Sequence, residues 1–409
     1  MREVIKRITT IAMLTLAVIV NVHAQRTVIS GWVTDERSGD EVPLARVTTD
    51  GNNTTVVTND DGYFTLKSDE PISSITVSHL GYESQTVEVG GSSELRIRLK
   101  PSSFTLPEVV VWTGDPRELV MTAIQKIPEN YSRQPELFNC FYREVGMKRS
   151  HYIYIAEGVL DMYKTSYMRG IGHDRVAIEK GRRLLSPKEG DTLGIKVAGG
   201  PVQPIQLDIV KNMDFLLNEE SLDNYSLDLE PMDIIDGRLQ YVVSLSPRRI
   251  LLYPLYFGKL YIDRETLAFT RAELSLDMSD RKKASTYMLL HKPMGVSFKP
   301  KELTTLVDYK TQDGITRIHY VRNIFRFNCD WKRRLFSSSF TAFCEMVVTD
   351  RKAEATPVSG RDSFNQRDAF FDRVEYFLDA DFWKDYNIIE PTERLDKAVG
   401  RILKRYGEK

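Results

Sequence analysis

Apolar and polar positions alternate in short runs along most of this chain, and the period changes where the architecture changes. Beyond residue 25 the runs are brief and strand-like: Val28 to Val33, Ala45 to Thr49, Thr54 to Thr58, Tyr63 to Leu66, Ile75 to Ser78, Gln85 to Val89 and Leu95 to Leu99. Turn residues stand between them. Asp60-Asp61-Gly62 leads into Tyr63-Phe64, and Gly62 supplies the positive φ that a tight hairpin needs. Leu95-Arg96-Ile97-Arg98-Leu99 alternates apolar and basic, as a half-buried strand does. Seven short strands within residues 25–101, with no helical period among them, predict a β-sandwich.

A linker over residues 102–114 separates this unit from a larger one. Asp115-Pro116-Arg117-Glu118 has the cap, the first-turn proline and the capping-box spacing of a helix start. Leu119, Val120, Ala123, Ile124 and Ile127 then form one apolar stripe. Phe138 to Lys148 and Tyr152 to Tyr163 read as strands. Residues 164–215 are the least regular. They hold a basic knot, Lys180-Gly181-Arg182-Arg183, a loop at Ala198 to Pro201, and a short helical run, Leu207 to Asn212. A long functional loop and a structural crossover both fit that stretch.

From Tyr225 the period-2 pattern persists. Tyr225 to Leu229, Leu239 to Leu245, Leu260 to Asp263, Phe269 to Leu276, Ser285 to Leu290, Leu303 to Tyr309, Ile315 to Phe327 and Ser339 to Val348 read as strands. Short turns such as Asp236-Gly237 and Asp313-Gly314 join them into one antiparallel meander. A sheet of that width twists and curls, which predicts an open half-barrel with an apolar concave face. Two helical stripes close the chain, Phe370 to Leu378 and Leu395 to Tyr406, and are expected to cover the sheet or its mouth. The fold class is therefore mainly β. A seven-strand sandwich precedes an α+β domain over residues 115–409, with a curved antiparallel sheet and covering helices.

The first 24 residues have a different character. Arg2, Lys6 and Arg7 precede an apolar run from Ile8 to Val20, and Val22-His23-Ala24 suits a cleavage site before Gln25. The run is short for a membrane span. This predicts an exported chain in the periplasm, soluble or peripherally attached to a membrane, with outer-membrane association an open expectation.

Composition narrows the picture. The chain has 409 residues, 42% hydrophobic and 28% charged, which excludes disorder as its general state. A formal net charge of -1 provides no basic field for nucleic acid. The sandwich is the acidic part: from Arg26 to Lys100, seven basic residues stand against twelve acidic ones. Three cysteines exclude a dense disulfide framework. Cys329 and Cys344 flank one hairpin. A cross-strand bridge between them and three buried free thiols, Cys140 included, both fit.

Two resemblances are carried by particular segments. "VISGWVTDERSGDEVPLARV", "TTVVTNDDGYFTL", "ITVSHLGYESQTVEV" and "LRIRLKP" resemble the carboxypeptidase-regulatory-like domain, a transthyretin-like sandwich found in exported Bacteroidota proteins. The tail "LPEVVVW" is similar to the segment after this domain in TonB-dependent transporters. The helices and long polar loops beyond Trp112 do not suit their transmembrane barrel. "ELVMTAIQKIPENY", "FNCFYREV" and "GKLYIDRETLAFTRAELSL" resemble an envelope family of Bacteroidota that joins such a domain to this region. "LYIDRETLAFTRAEL" is also similar to a strand pair in lipoprotein carriers of the LolA type, whose fold is a curved sheet around a helix.

Candidate chemistry is sparse. The name of the N-terminal domain suggests a zinc peptidase. However, none of His79, His151, His173, His291 and His319 begins His-x-x-Glu or His-Glu-x-x-His. There is no Gly-x-Ser-x-Gly elbow, no Walker A loop and no Gly-x-Gly-x-x-Gly. No catalytic residue, metal site or cofactor is predicted. Aromatic residues are the better clue. Tyr253, Tyr256 and Phe257 lie in one dense apolar run beside Leu251 and Leu252, and Trp331 and Phe336 lie at an aromatic hairpin whose turn is Lys332-Arg333-Arg334. These five aromatics are the candidate contacts for a hydrophobic ligand or a membrane, with ordinary core packing as the alternative. Asp191-Thr192-Leu193 resembles a periplasmic O-glycosylation site.

The expected function is a non-catalytic periplasmic or cell-envelope protein that binds or scaffolds. It would hold a lipid, a lipoprotein or a peptide in its curved sheet, with an outer-membrane or periplasmic protein as partner. A hydrolase with an unusual site in residues 164–215 and an accessory subunit of an outer-membrane complex are the competing expectations.

Overall fold

The computed structural model describes residues 26–50, 54–91, 93–102, 112–185, 199–289, 295–331, 337–376 and 382–407. The export segment 1–24, most of the linker, the Asp191-Thr192-Leu193 site and Phe336 lie outside these residues.

The seven expected N-terminal strands form: β1 Thr27–Asp35, β2 Arg46–Thr49, β3 Thr55–Val57, β4 Tyr63–Ser68, β5 Ser74–Ser78, β6 Gln85–Glu88 and β7 Glu94–Leu99. They lie in two sheets, ordered β4-β1-β7 and β3-β2-β5-β6. Period-2 alternation sends Ile29, Val33, Val47, Phe64, Leu66, Val77 and Ile97 into one core between them. Gly62 does adopt φ +70°, and a Cβ there would stand 2.6 Å from the Val33 carbonyl oxygen. Asn59 completes the turn by accepting from the amides of Asp61 and Tyr63.

The larger part opens with α1 Pro116–Gln125 and α2 Ile127–Asn130. Asp115 caps α1, accepting from the Arg117 amide, and Leu119, Val120 and Ala123 are buried. Next come β8 Glu136–Lys148, β9 His151–Lys164 and β10 Arg175–Leu185, then the short turns α3 Gln203–Gln206 and α4 Glu219–Leu222. The meander is β11 Tyr225–Ile235, β12 Arg238–Pro247, β13 Tyr256–Asp263, β14 Phe269–Leu276, α5 Arg281–Met288, β15 Val296–Gln312, β16 Ile315–Trp331 and β17 Ser338–Arg351. The chain ends with α6 Phe370–Arg373, β18 Glu375–Tyr376 and α7 Glu393–Gly407. One curved sheet of 11 strands results, ordered β11-β12-β13-β14-β15-β16-β17-β8-β9-β10-β18 and not closed on itself.

The structure corrects four local expectations. The basic knot Lys180 to Arg183 is not in a loop but in β10, paired with β9. Of the strand expected at Ser285 to Leu290, Ser285 to Met288 lie in helix α5, and Leu290 lies outside the described residues. Asp280 caps a helix there by accepting from the amides of Lys282 and Lys283, and the polar run needs only Ala284 buried. Leu207 to Asn212 is not a helix: the helical turn precedes it at α3, and this stretch turns with the Asn212 amide donating to the Asp208 carbonyl at 2.7 Å. The Phe370 stripe yields one helical turn and then β18, parallel to β10, because Phe370 and Val374 both pack into the sheet. Gly158 on β9 leaves the room for this strap: a Cβ there would lie 2.7 Å from the Phe370 ring.

The inner face of the sheet is filled by the chain itself. Leu119, Val120, Ile127, Tyr131, Ile209, Leu216, Leu222 and Phe370 pack against Tyr142, Leu160, Leu260, Val307 and Met346 in one core. The outer face carries the sandwich and α7. Val57 meets Phe141, Tyr320 and Trp383, while Leu395 of α7 packs on Val145 and Ile155. Arg46 of the sandwich bridges Asp236 at 2.6 Å and Asp308 at 2.7 Å.

All three cysteines are buried and free. Register explains why Cys329 and Cys344 do not pair. Cys329 faces Ser338, and Cys344 faces Asn323, which is six residues back along β16. At about 3.4 Å per residue the two lie roughly 20 Å apart, far outside disulfide reach. Burial raises each thiol, that of Cys329 to about 11. Native protein is therefore expected to resist a thiol-reactive dye, to titrate three thiols in denaturant, and to keep its Tm under reductant. A Tm that falls on reduction would contradict this.

Candidate functional site

The dense apolar run singled out in the sequence lies between β12 and β13. Arg248 starts the loop, its amide donating to the Asn224 carbonyl at 2.9 Å. Pro247 and Pro254 restrict the backbone at both ends of it. Between them Ile250 is 93% and Leu252 96% exposed, and Tyr253 is 55% exposed. Arg248 and Arg249 are exposed beside them. Two aliphatic side chains so fully in water are costly, since burying each would return about 1.5–3 kcal/mol.

The base of the loop is held firmly. Lys283 of α5 donates to the Leu251 carbonyl at 2.5 Å. Tyr256 is buried, its hydroxyl 2.9 Å from that of Tyr287 on α5 and its ring centroid 5.4 Å from that of Phe215. Burial, with Tyr287 adjacent, raises the Tyr256 phenol well above its ordinary value. Tyr287 is 46% and Phe257 47% exposed. The loop and α5 thus form one rim at the end of the sheet where Tyr256 pairs with Leu276. Of the aromatics named from sequence, Tyr253 and Phe257 are on its surface and Tyr256 is its support. Trp331 ends β16, opposite Val296. Phe327, earlier on the same strand, and Phe340 on β17 are buried core, with ring centroids 5.6 Å apart. Ile250, Arg249 and Tyr287 were not singled out from the sequence. An arginine pair ahead of Ile-Leu-Leu-Tyr, bracketed by prolines, was the available signal.

Several buried ionisable residues are occupied elsewhere. In the 164–215 stretch, Lys164 contacts Asp208 at 2.8 Å and Lys211 contacts Asp174 at 2.7 Å, all essentially without solvent. Tyr309 and Tyr167 donate to the same Asp208 carboxylate. On the outer face Arg143 binds Glu157 at 2.8 Å, Glu345 at 3.4 Å and the Ile389 carbonyl at 2.6 Å. Burial would raise the Glu157 carboxyl, but Arg143 and Arg182 hold it at about 2. Glu144 differs from these. Tyr142 donates to its Oε1 at 2.7 Å, and its Oε2 meets no hydrogen-bond partner among the described residues. Burial pushes this carboxyl up to about 8. Among the described residues no cluster of three His, Cys, Asp or Glu could hold a metal ion. No described helix is long and apolar enough to cross a membrane. Two surface clefts, of about 430 and 440 Å³, are lined in part by Arg317 and Arg351 in one and by Lys259 and Arg271 in the other.

Fold and rim together define a two-part protein, a β-sandwich carried on the outside of an open curved sheet. Residues 29–111 match the family model of the CarboxypepD_reg-like domain, so the sandwich is a domain of that type. A comparison with curated proteins finds no match. Among solved structures, the chain is similar to a DUF1329 family protein from Desulfovibrio piger. Identity is 12% over 57% of this chain and 94% of that one, with a TM-score of 0.24. It is also similar to a putative outer membrane lipoprotein-sorting protein domain from Vibrio parahaemolyticus, at 11% identity over 61% and 97%, with a TM-score of 0.25. A putative membrane-associated protein of unknown function from Bacteroides fragilis is 10% identical over 80% and 99%, with a TM-score of 0.16. At these values the functional reading rests on the geometry of this chain.

Proposed function

We propose that this chain is an exported, non-catalytic binding protein of the cell envelope that works from the rim of its sheet. The observation that carries the reading is the pair Ile250 and Leu252, 93% and 96% exposed on a loop whose base is pinned by Lys283 and Tyr256. An anchored loop that keeps aliphatic tips in water is built to contact something apolar. The expected partner is a lipid or a lipoprotein, and the rim takes it rather than the sheet interior. That interior is already packed by α1, α2 and the strap around Phe370.

A hydrolase in residues 164–215 finds less support. Lys164, Asp174, Asp208 and Lys211 there are paired with one another and shielded from substrate. A photo-crosslinking residue at Leu252 tests the reading. In living cells it is expected to yield lipid or lipoprotein adducts, whereas the same residue at exposed Lys100 yields none. Equal labelling at both positions, or none at Leu252, would sink it.

A further inference from the structure

The rim carries charge as well as apolar surface, and the two are arranged together. Arg248 and Arg249 stand directly before Ile250 in the loop, and Arg281 and Lys282 are exposed on the first turn of α5. With Lys283, five basic side chains stand against Asp277 and Asp280. Both of those carboxylates are turned onto their own backbone, Asp277 accepting from the Ser279 amide and Asp280 from those of Lys282 and Lys283. Lys283 also pairs with Asp280 at 3.9 Å, and Glu219, Glu220 and Asp223 precede the Asn224 that holds the Arg248 amide, Asp223 being paired with Arg117 at 2.7 Å; the cationic surface is therefore the loop and the first turn of α5, on a molecule whose net charge is -1.

We infer that the partner of this rim is an anionic bilayer surface, entered by Ile250 and Leu252 with the neighbouring basic side chains on the lipid phosphates. The inference rests on the reading of the rim as the binding surface and names its partner.

Four features favour a bilayer over a protein groove. Two protruding aliphatic tips need complementary pockets in a protein partner, whereas a fluid interface closes around them. Tyr253, half-exposed next to Leu252 in the loop, has the apolar body and polar end that suit the headgroup level. Arginine can keep its charge among phosphates while its stem lies along apolar chains. Between the two tips, the Leu251 carbonyl already has its donor in Lys283 and need not be desolvated unpaired.

The test uses the full mature chain in vesicle co-sedimentation. One vesicle is phosphatidylcholine alone; the other is phosphatidylcholine doped with phosphatidylglycerol. The wild type is expected to bind the doped vesicles at least about tenfold more tightly, with the preference fading at high salt. The R248E/R249E variant is expected to lose that preference. I250D/L252D is expected to weaken binding to the doped vesicles by more than about tenfold. Because these side chains are exposed, both variants should retain the wild-type Tm, which separates lost binding from lost folding. Equal binding to the two vesicles, or wild-type behaviour of R248E/R249E, would overturn the anionic assignment while leaving an apolar rim. No binding to either vesicle, with adducts still forming at Leu252 in cells, would overturn the bilayer and leave a lipoprotein as the partner. No vesicle binding and no adducts would remove both readings.

Discussion

Replacing Arg143 with methionine is expected to destabilise the protein by about 3–5 kcal/mol, the cost of stranding buried carboxylates. Arg143 is 3% exposed and its guanidinium holds Glu157, Glu345 and the Ile389 carbonyl together. It therefore joins β8, β9 and β17 to the segment that leads into α7. Methionine fills similar space but leaves Glu345 without its cation and Glu157 with Arg182 and the Trp383 indole. The pH dependence has a definite sign. Glu157 sits near 2 in the native state, below its unfolded value of about 4.3, so its contribution is present above that unfolded value and is lost as pH falls through 2. The difference between wild type and variant should thus be largest near neutrality and shrink below about pH 4. Urea unfolding across pH measures it. Adding Glu345→Gln to the variant should recover part of the loss. A cost below about 1 kcal/mol at pH 7 would show that Arg143 does not hold these elements.

Glu144→Gln should act in the opposite direction. The wild-type carboxyl is raised to about 8 by burial, with Asp372 adding to the shift and the Tyr142 hydrogen bond only partly offsetting it. In the unfolded chain it titrates near 4.3. The native state therefore retains a proton that the unfolded state releases, and wild-type stability falls as pH rises from about 4.5 to about 8. Glutamine removes that loss. Its advantage over the wild type should grow by about 3 kcal/mol between pH 5 and pH 7.5, whatever the offset at pH 5. The amide has a ready acceptor if the Tyr154 hydroxyl, which is buried without a partner among the described residues, turns toward it. Parallel stability curves for the two proteins would contradict the assignment of a buried, protonated Glu144.

The contrast between the two residues shows what alternation in a sequence can reveal. Arg143 and Glu144 are neighbours on β8 and necessarily point to opposite faces of the sheet. Their sequence context showed only a charged pair in a strand. Which charge met a partner depended on β17 and β9 lying on either side, and the β17–β8 junction joins segments some 200 residues apart. Local pattern cannot specify such a pairing, because the period of a strand is the same whichever neighbour it takes. The rim was half legible for a related reason. Tyr253, Tyr256 and Phe257 were visible as an apolar run, but exposure decides between core and surface, and only the pinning by α5 left Tyr253 out and took Tyr256 in. The helix that does this, α5, itself looked like a strand.

Seven short alternating runs with turn residues between them were sufficient for the sandwich, because each strand there is next to its turn and Gly62 requires its own bend. The meander from Tyr225 was readable for the same reason: its hairpins are local, and short turns dictate antiparallel neighbours. Partnership across long separations was not written in any local period. The joining of β8 to β17, the filling of the inner face by α1, α2 and the Phe370 strap, and the emergence of Ile250 and Leu252 into solvent all depend on which surfaces meet once the sheet has curled. Period and turn chemistry set the strands; packing over distance decided that the apolar surface left over lies at the rim.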